Sequence, residues 1–274
     1  MTLRVSLYGC GTIGQEIASA FAEGTIAGEL VTVHDRNPEK CERVVNQFSN
    51  DPPTIAHNPA DMYNDVNLVV EAAGQNAVAD IAIPTLQHHC DLMVMSVGAF
   101  ANTTLYEDVR TTAKQYDARI HVPSGSIAGL DSIKAAAVSG ELAEVTLTTT
   151  KHPDGLTGAP YLVDNNIDLS DLSEATTVFE GSALEAAKGF PANINVAIAL
   201  SLAGIGPTGT TVRIVADPHE TNNVHQIRAS GGMGDIHTEV RNVPSPTNPK
   251  TSYLAPLSAI ATLREMTEAV QTGT

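Results

Sequence analysis

The sequence predicts an α/β protein in two parts: an N-terminal doubly wound parallel sheet, then an α+β unit built on a mainly antiparallel sheet. Three observations carry that prediction. Up to about residue 125, near-continuous apolar runs alternate with helical stretches, the pattern of parallel strands covered on both faces. Beyond that point, longer runs with a two-residue period succeed one another. A chain of 274 residues is also long enough for two hydrophobic cores.

In chain order, the first half offers strands at 3-LRVSLYG-9, 29-ELVTVHD-35, 67-NLVVEAA-73, 92-LMVMSVG-98 and 118-ARIHVP-123. Helical segments such as Thr12 to Ala22 and Pro38 to Phe48 separate them. The stretch 127-IAGLDSIKAAAVSG-140 reads as a helix leading into the second half. Strands then follow at 142-LAEVTLTTTK-151, 175-ATTVFEG-181, 209-GTTVRIVAD-217, 224-VHQIRAS-230 and 236-IHTEVRNV-243, with helices near 182-SALEAAKGF-190 and 195-NVAIALSLAG-204. In the tail, Leu254, Leu257, Ile260, Leu263 and Met266 fall at helical spacing, and Pro256 requires that helix to start late or bend. The expected organisation is therefore a nucleotide-binding unit over 1–125, a substrate unit over 126–250, and a helix over 251–272 packing back on the first.

The most informative short motif is 9-GCGTIG-14, in which Gly9, Gly11 and Gly14 follow a strand and Thr12, Ile13 and Gly14 open a helix. Glycine permits the tight turn and lets backbone N–H groups approach a pyrophosphate at the positive end of the helix, as in a Rossmann-type domain. Asp35 ends the second strand, where a carboxylate can bind ribose hydroxyls. Arg36 follows at once, either as an acceptor for a 2′-phosphate or as a solvated surface residue. NAD and NADP thus both remain open.

Charge narrows the partners. The formal charge of −16 comes from 31 acidic against 15 basic residues, a surface that repels nucleic acid and anionic lipid. So few lysines among so many acids suit a high-salt cytoplasm, where screening removes the self-repulsion, and a halophilic source is expected. The start of the chain lacks a signal-peptide pattern and the longest apolar run, 196-VAIALSLAGIG-206, is too short to span a bilayer, so a cytoplasmic location is expected. Three cysteines, Cys10, Cys41 and Cys90, fit a reducing compartment rather than a disulfide framework. The run 88-HHC-90 offers metal-ligating side chains, but adjacent residues point apart and structural zinc ligands come in spaced pairs, so no metal site is expected.

Among the histidines of the second half, the two-residue period puts His225 with Ile227 and Ala229 on the apolar face of its strand. His219 falls in a turn after Pro218, and His237 shares an outer face with Glu239 and Arg241. Pattern alone leaves two roles for an inward imidazole, a hydrogen-bonded core residue or an acid/base group.

Taken together, the glycine loop and the segments 124-SGSIAGLDSIKAA-136, 190-FPANINVAIALSLAG-204, 216-ADPHETNNVHQI-227 and 245-SPTNPKTSYLAPLSAIATLR-264 resemble the L-aspartate dehydrogenases over essentially the whole chain. The resemblance implies NAD(P)-dependent oxidation of L-aspartate to iminoaspartate, feeding NAD synthesis, usually from a homodimer. The family's catalytic histidine lies in an Asn-x-His motif after an Asp-Pro turn, which Asn223, Val224 and His225 match. Its nicotinamide contacts map onto Ala128 and Asn195. Oxidising such a substrate also needs cations for two carboxylates. Lys250 offers one, with Thr251 and Ser252 opening the last helix beside it, and Lys151 at the end of its strand is a further candidate. Two rival readings are a related NAD(P)-dependent reductase of amino-acid synthesis, of the dihydrodipicolinate or homoserine type, and a non-catalytic nucleotide sensor. The first would place a histidine pair in the substrate unit, whereas His88 and His89 lie in the nucleotide half; the second leaves the match around His225 unexplained.

Overall fold

The computed structural model describes residues 2–245 and 248–273, with the backbone alone for 248–251. The chain divides into two units, one made of the residues up to Pro123 with Pro256–Thr272, the other of Ser124–Ala255.

In the first unit, β1 (Leu3–Tyr8) leads through the glycine turn into α1 (Thr12–Ala22). There follow β2 (Gly28–His34), α2 (Pro38–Val45), a two-residue β3 (Thr54–Ile55), β4 (Leu68–Glu71), α3 (Gln75–Gln87), β5 (Asp91–Val94), α4 (Thr103–Gln115) and β6 (Ile120–His121). The strands lie in the order β3-β2-β1-β4-β5-β6 and every neighbouring pair is parallel. Val5, Leu7, Val33, Val70 and Met93 are fully buried, which is why these strands read as continuous apolar runs rather than as alternation. The strand order reverses between β1 and β4, so the loops leaving those two strands flank the topological switch point where such sheets bind ligands.

In the second unit, α5 (Leu130–Val138) precedes β7 (Leu142–Lys151), α6 (Pro160–Asp164), β8 (Thr176–Ser182), α7 (Ala183–Gly189), α8 (Asn195–Ala203), β9 (Thr211–Ala216), β10 (Asn223–Gly231) and β11 (Gly234–Asn242). The sheet order is β11-β10-β7-β9-β8, with only the β7–β9 pair parallel. The expected mainly antiparallel sheet is therefore present. One face buries Val145, Leu147 and Thr149 of β7, Val212, Ile214 and Ala216 of β9, and His225, Ile227 and Ala229 of β10. Tyr161, Phe179 and Phe190 form an aromatic cluster with ring centroids 5.1 to 5.6 Å apart.

The end of the chain departs from the sequence expectation. Lys250, Thr251 and Ser252 do not open a helix: they lie in β13 (Asn248–Ser252), which pairs antiparallel with β12 (Pro244–Ser245). The helix, α9 (Leu254–Glu265), is shorter than the expected 251–272. Pro256 is its third residue, where a backbone N–H has no intrahelical partner to lose, so the late start rather than a bend accommodates the ring. Ala259 and Leu263 of α9 are buried in the same core as Leu7, Ile17 and Val33. Among the described residues no helix is long and apolar enough to cross a membrane.

Candidate active site

The glycine loop of the first unit is shaped by close backbone approach. Gly9 has φ +108°, and a Cβ there would fall 2.5 Å from the carbonyl carbon of Ala72 at the end of β4. A Cβ on Gly14 would fall 2.0 Å from the Gly9 carbonyl oxygen, so helix and turn touch through glycine alone. At Gly11, by contrast, an added Cβ would meet nothing within 4 Å. Gly11 also caps α1 with no side-chain hydrogen bond, leaving the N–H groups of Thr12, Ile13 and Gly14 without an intrahelical acceptor. A strand-end turn with open space above uncapped N–H groups is a cradle that fits the pyrophosphate of a dinucleotide.

Asp35 lies one residue past β2, and its carboxylate already braces the loop: Oδ2 accepts from the Cys10 N–H and Oδ1 from the Asn37 N–H, each at 2.9 Å. Arg36 beside it is exposed. On the other side of the switch point, Glu71 ends β4 fully buried, a position that sequence reasoning missed although a carboxylate closing an apolar strand was the visible signal. It accepts from the N–H groups of Ala73 and Gly74, each at 2.8 Å, and from the N–H and hydroxyl of Ser96, each at 2.9 Å. Burial raises its pKa despite those donors. Glu71 thereby ties the loop after β4 to the loop after β5.

In the second unit, the strand ends bring polar side chains together. His225 lies opposite Thr149, and Thr149 Oγ1 is 3.0 Å from His225 Nδ1. His225 is 5% exposed. Lys151, two residues beyond Thr149 on the same face, hydrogen-bonds the Asn193 side chain through Nζ. No described carboxylate forms an ion pair with Lys151 or His225, and no described residue bonds His225 Nε2. Burial lowers the Lys151 pKa to about 8. Burial, then the Lys151 charge, lowers that of His225 to about 3, so the imidazole is neutral at pH 7.

Ala128 is exposed, and its carbonyl accepts from the Thr238 hydroxyl of β11 at 3.1 Å. Asn242 holds the same segment by donating to the Ser126 carbonyl at 2.9 Å. Asn195 is the first residue of α8 and exposed. Ser252 is nearly buried on β13, while the side chains of Lys250 and Thr251 lie outside the described residues. Thr149 and Asn193 were not singled out by sequence. His219 is an exposed turn residue bonded to the Ser173 carbonyl, and His237 is exposed on β11. The His88-His89-Cys90 run is dispersed: His88 stacks on Tyr63, His89 bonds the Tyr116 carbonyl, and Cys90 is buried. Cys10 packs with its sulfur 3.8 Å from that of Cys41, and burial raises both thiol pKa values, as suits packing rather than nucleophilic chemistry.

A switch-point glycine cradle in one unit, and in the other a buried histidine beside a partly buried lysine, point to an NAD(P)-dependent oxidoreductase. Residues 9–123 match the model of the homoserine dehydrogenase NAD-binding domain, and residues 131–266 that of the aspartate dehydrogenase C-terminal domain. The L-aspartate dehydrogenase of Methanococcoides burtonii is 47% identical over 272 residues, covering 99% of this chain and 100% of its own. That of Methanocella arvoryzae is 45% identical, with 99% of each chain covered. The crystal structure of aspartate dehydrogenase from Thermotoga maritima superposes over 100% of both chains with a TM-score of 0.77 at 28% identity. The chain belongs to the L-aspartate dehydrogenase family.

Proposed function

We propose that the protein oxidises L-aspartate to iminoaspartate with NAD or NADP, the product feeding NAD synthesis, and that it works in the cytoplasm as a homodimer. The observation that carries the reading is the partly buried Lys151 ammonium, which has no carboxylate partner among the described residues, beside a neutral His225. A cation partly withdrawn from water, with no counter-ion among the described residues, selects an anion. Lys151 receives one substrate carboxylate, and Lys250, Thr251 and Ser252 on β13 receive the other.

Thr149 fixes the imidazole. In the tautomer whose Nδ1–H donates to the Thr149 hydroxyl, the Nε2 lone pair is left to accept a proton from the substrate ammonium, which must become a neutral amine before the Cα hydride can leave. The dinucleotide, held by Gly9, Gly11, Thr12, Ile13, Gly14, Asp35 and Arg36 with Ala128 and Asn195 at the nicotinamide, supplies the hydride acceptor when bound.

The test is to mix the protein in high salt with NAD and, separately, NADP, add L-aspartate or a panel of other amino acids, and follow absorbance of the reduced cofactor. Reduction with L-aspartate alone is expected, and the two rates rank the cofactors. Silence with every amino acid despite measurable nucleotide binding refutes the proposal. His225→Ala should lower turnover by about 10²–10⁴-fold with nucleotide affinity unchanged, and full activity in that variant removes His225 from the mechanism.

A further inference from the structure

His225 and Lys151 stand on neighbouring strands of one sheet face: Thr149 is opposite His225, and Lys151 lies two residues further along β7. Such diagonal neighbours are about 7–8 Å apart along the backbone, within reach of a long side chain. Among the described residues, the other elements around the imidazole bring no compensating charge. On β11 the residue opposite is Val240, and the flanking Glu239 and Arg241 are engaged with Gln226 and Glu220. Across β7, β9 presents Ile214 and Ala216, and the segment before α8 presents the neutral Asn193. Among the described residues, Lys151 is the only charged group acting on His225.

Burial first, and the repulsion of a neighbouring ammonium second, disfavour a charged imidazole at this site. A carboxylate docked on the ammonium cancels that repulsion. We propose that Lys151 is a positioning residue that gates His225: while the pocket lacks an anion the imidazole cannot take up a proton, and the substrate carboxylate that docks on Lys151 makes it a competent base. The inference rests on the L-aspartate reading and deepens it, because the dicarboxylate then earns its selectivity in turnover as well as in binding. An amino acid that leaves Lys151 unpaired binds beside a base still held neutral.

The proton balance follows from the same geometry. The substrate ammonium gives its proton to Nε2, and the resulting imidazolium is stabilised by the Lys151-bound carboxylate. Its proton returns to solvent when the product leaves. Lys151 keeps its own proton throughout.

The test is titration of the His225 imidazole by NMR in the full-length protein, its signal assigned by loss in His225→Gln, with succinate as a dicarboxylate probe that has no amine to oxidise. In the free protein the signal should stay that of a neutral ring from pH 8 to pH 5, and saturating succinate should raise its titration midpoint, followed down to pH 3, by about one to two pH units. Lys151→Met should raise the midpoint of the free protein by about one to two pH units and abolish the response to succinate, whereas Lys151→Arg should keep it. A midpoint near the ordinary histidine value in the free wild-type protein, or a signal indifferent to succinate, overturns the gate. L-Aspartate turnover on the same samples separates the two ideas. Turnover without a succinate response sinks the gate and spares the substrate assignment. A succinate response without turnover keeps the gate and sinks the assignment.

Discussion

Lys151→Met keeps the length of the side chain and removes a partly buried charge that the described structure leaves without a counter-ion. Lowering the lysine pKa from 10.5 to about 8 means that the folded protein disfavours the ammonium relative to the unfolded chain. At about 1.4 kcal/mol per pH unit that is about 3 kcal/mol of destabilisation at pH 7. Methionine escapes it but leaves the Asn193 oxygen without its donor, a loss of about 1 kcal/mol. The variant should therefore be more stable by about 2 kcal/mol at pH 7 while losing activity. The pH dependence fixes the cause. Between pH 8 and 10.5 the unfolded chain holds the proton that the folded chain has released, so wild-type stability climbs with pH and the advantage of methionine fades across that window. Urea unfolding at pH 7 and pH 10.5, fitted transition by transition, reads both numbers. A methionine variant no more stable than wild type at pH 7, or an advantage of equal size at both pH values, refutes the reasoning.

Gly14→Ala drives a Cβ to 2.0 Å from the Gly9 carbonyl oxygen, and since the obstacle is backbone the turn must open. Nucleotide affinity measured by calorimetry should fall at least tenfold, and unchanged affinity would show that the loop does not hold the cofactor. Glu71→Gln replaces a four-fold acceptor by a group whose NH₂ must face a donor at Ser96, with a cost of about 1–3 kcal/mol readable as a lowered urea midpoint. His225, neutral when folded down to about pH 3, should make the protein lose stability as pH falls from about 6.5 towards that value, because only the unfolded chain takes up the proton. In His225→Gln the slope of stability against pH should be shallower by about 1.4 kcal/mol per pH unit in that window, and identical slopes would place the shift elsewhere.

The parallel sheet was legible because both its faces are buried, which writes each strand as an apolar run, and because Gly9 and Gly14 sit where no side chain fits. The inward face of β10 was equally plain, since a two-residue period needs no knowledge of partners. Lys250 to Ser252 misled for a local reason: threonine and serine before an apolar run are helix-capping residues, but threonine also favours strands, and the pairing of β13 with β12 decides between them. The two residues of β3 and the five of α6 are too short for any period to show. Thr149 and Asn193 stayed hidden for a different reason, as they join the site only through contacts 76 and 42 residues apart in sequence, fixed by strand register and by the turn before α8.

That difference separates scaffold from chemistry. The scaffold is written in repeated local choices, each redundant with its neighbours, so a single sequence displays it. The candidate site depends on which strand ends meet, and its most telling feature is an energetic cost: a lysine held below its ordinary pKa among neutral partners. A fold selected for stability alone would have a methionine or leucine there. A partly buried ammonium with no counter-ion among the described residues is what the substrate carboxylate of the proposed reaction would complete.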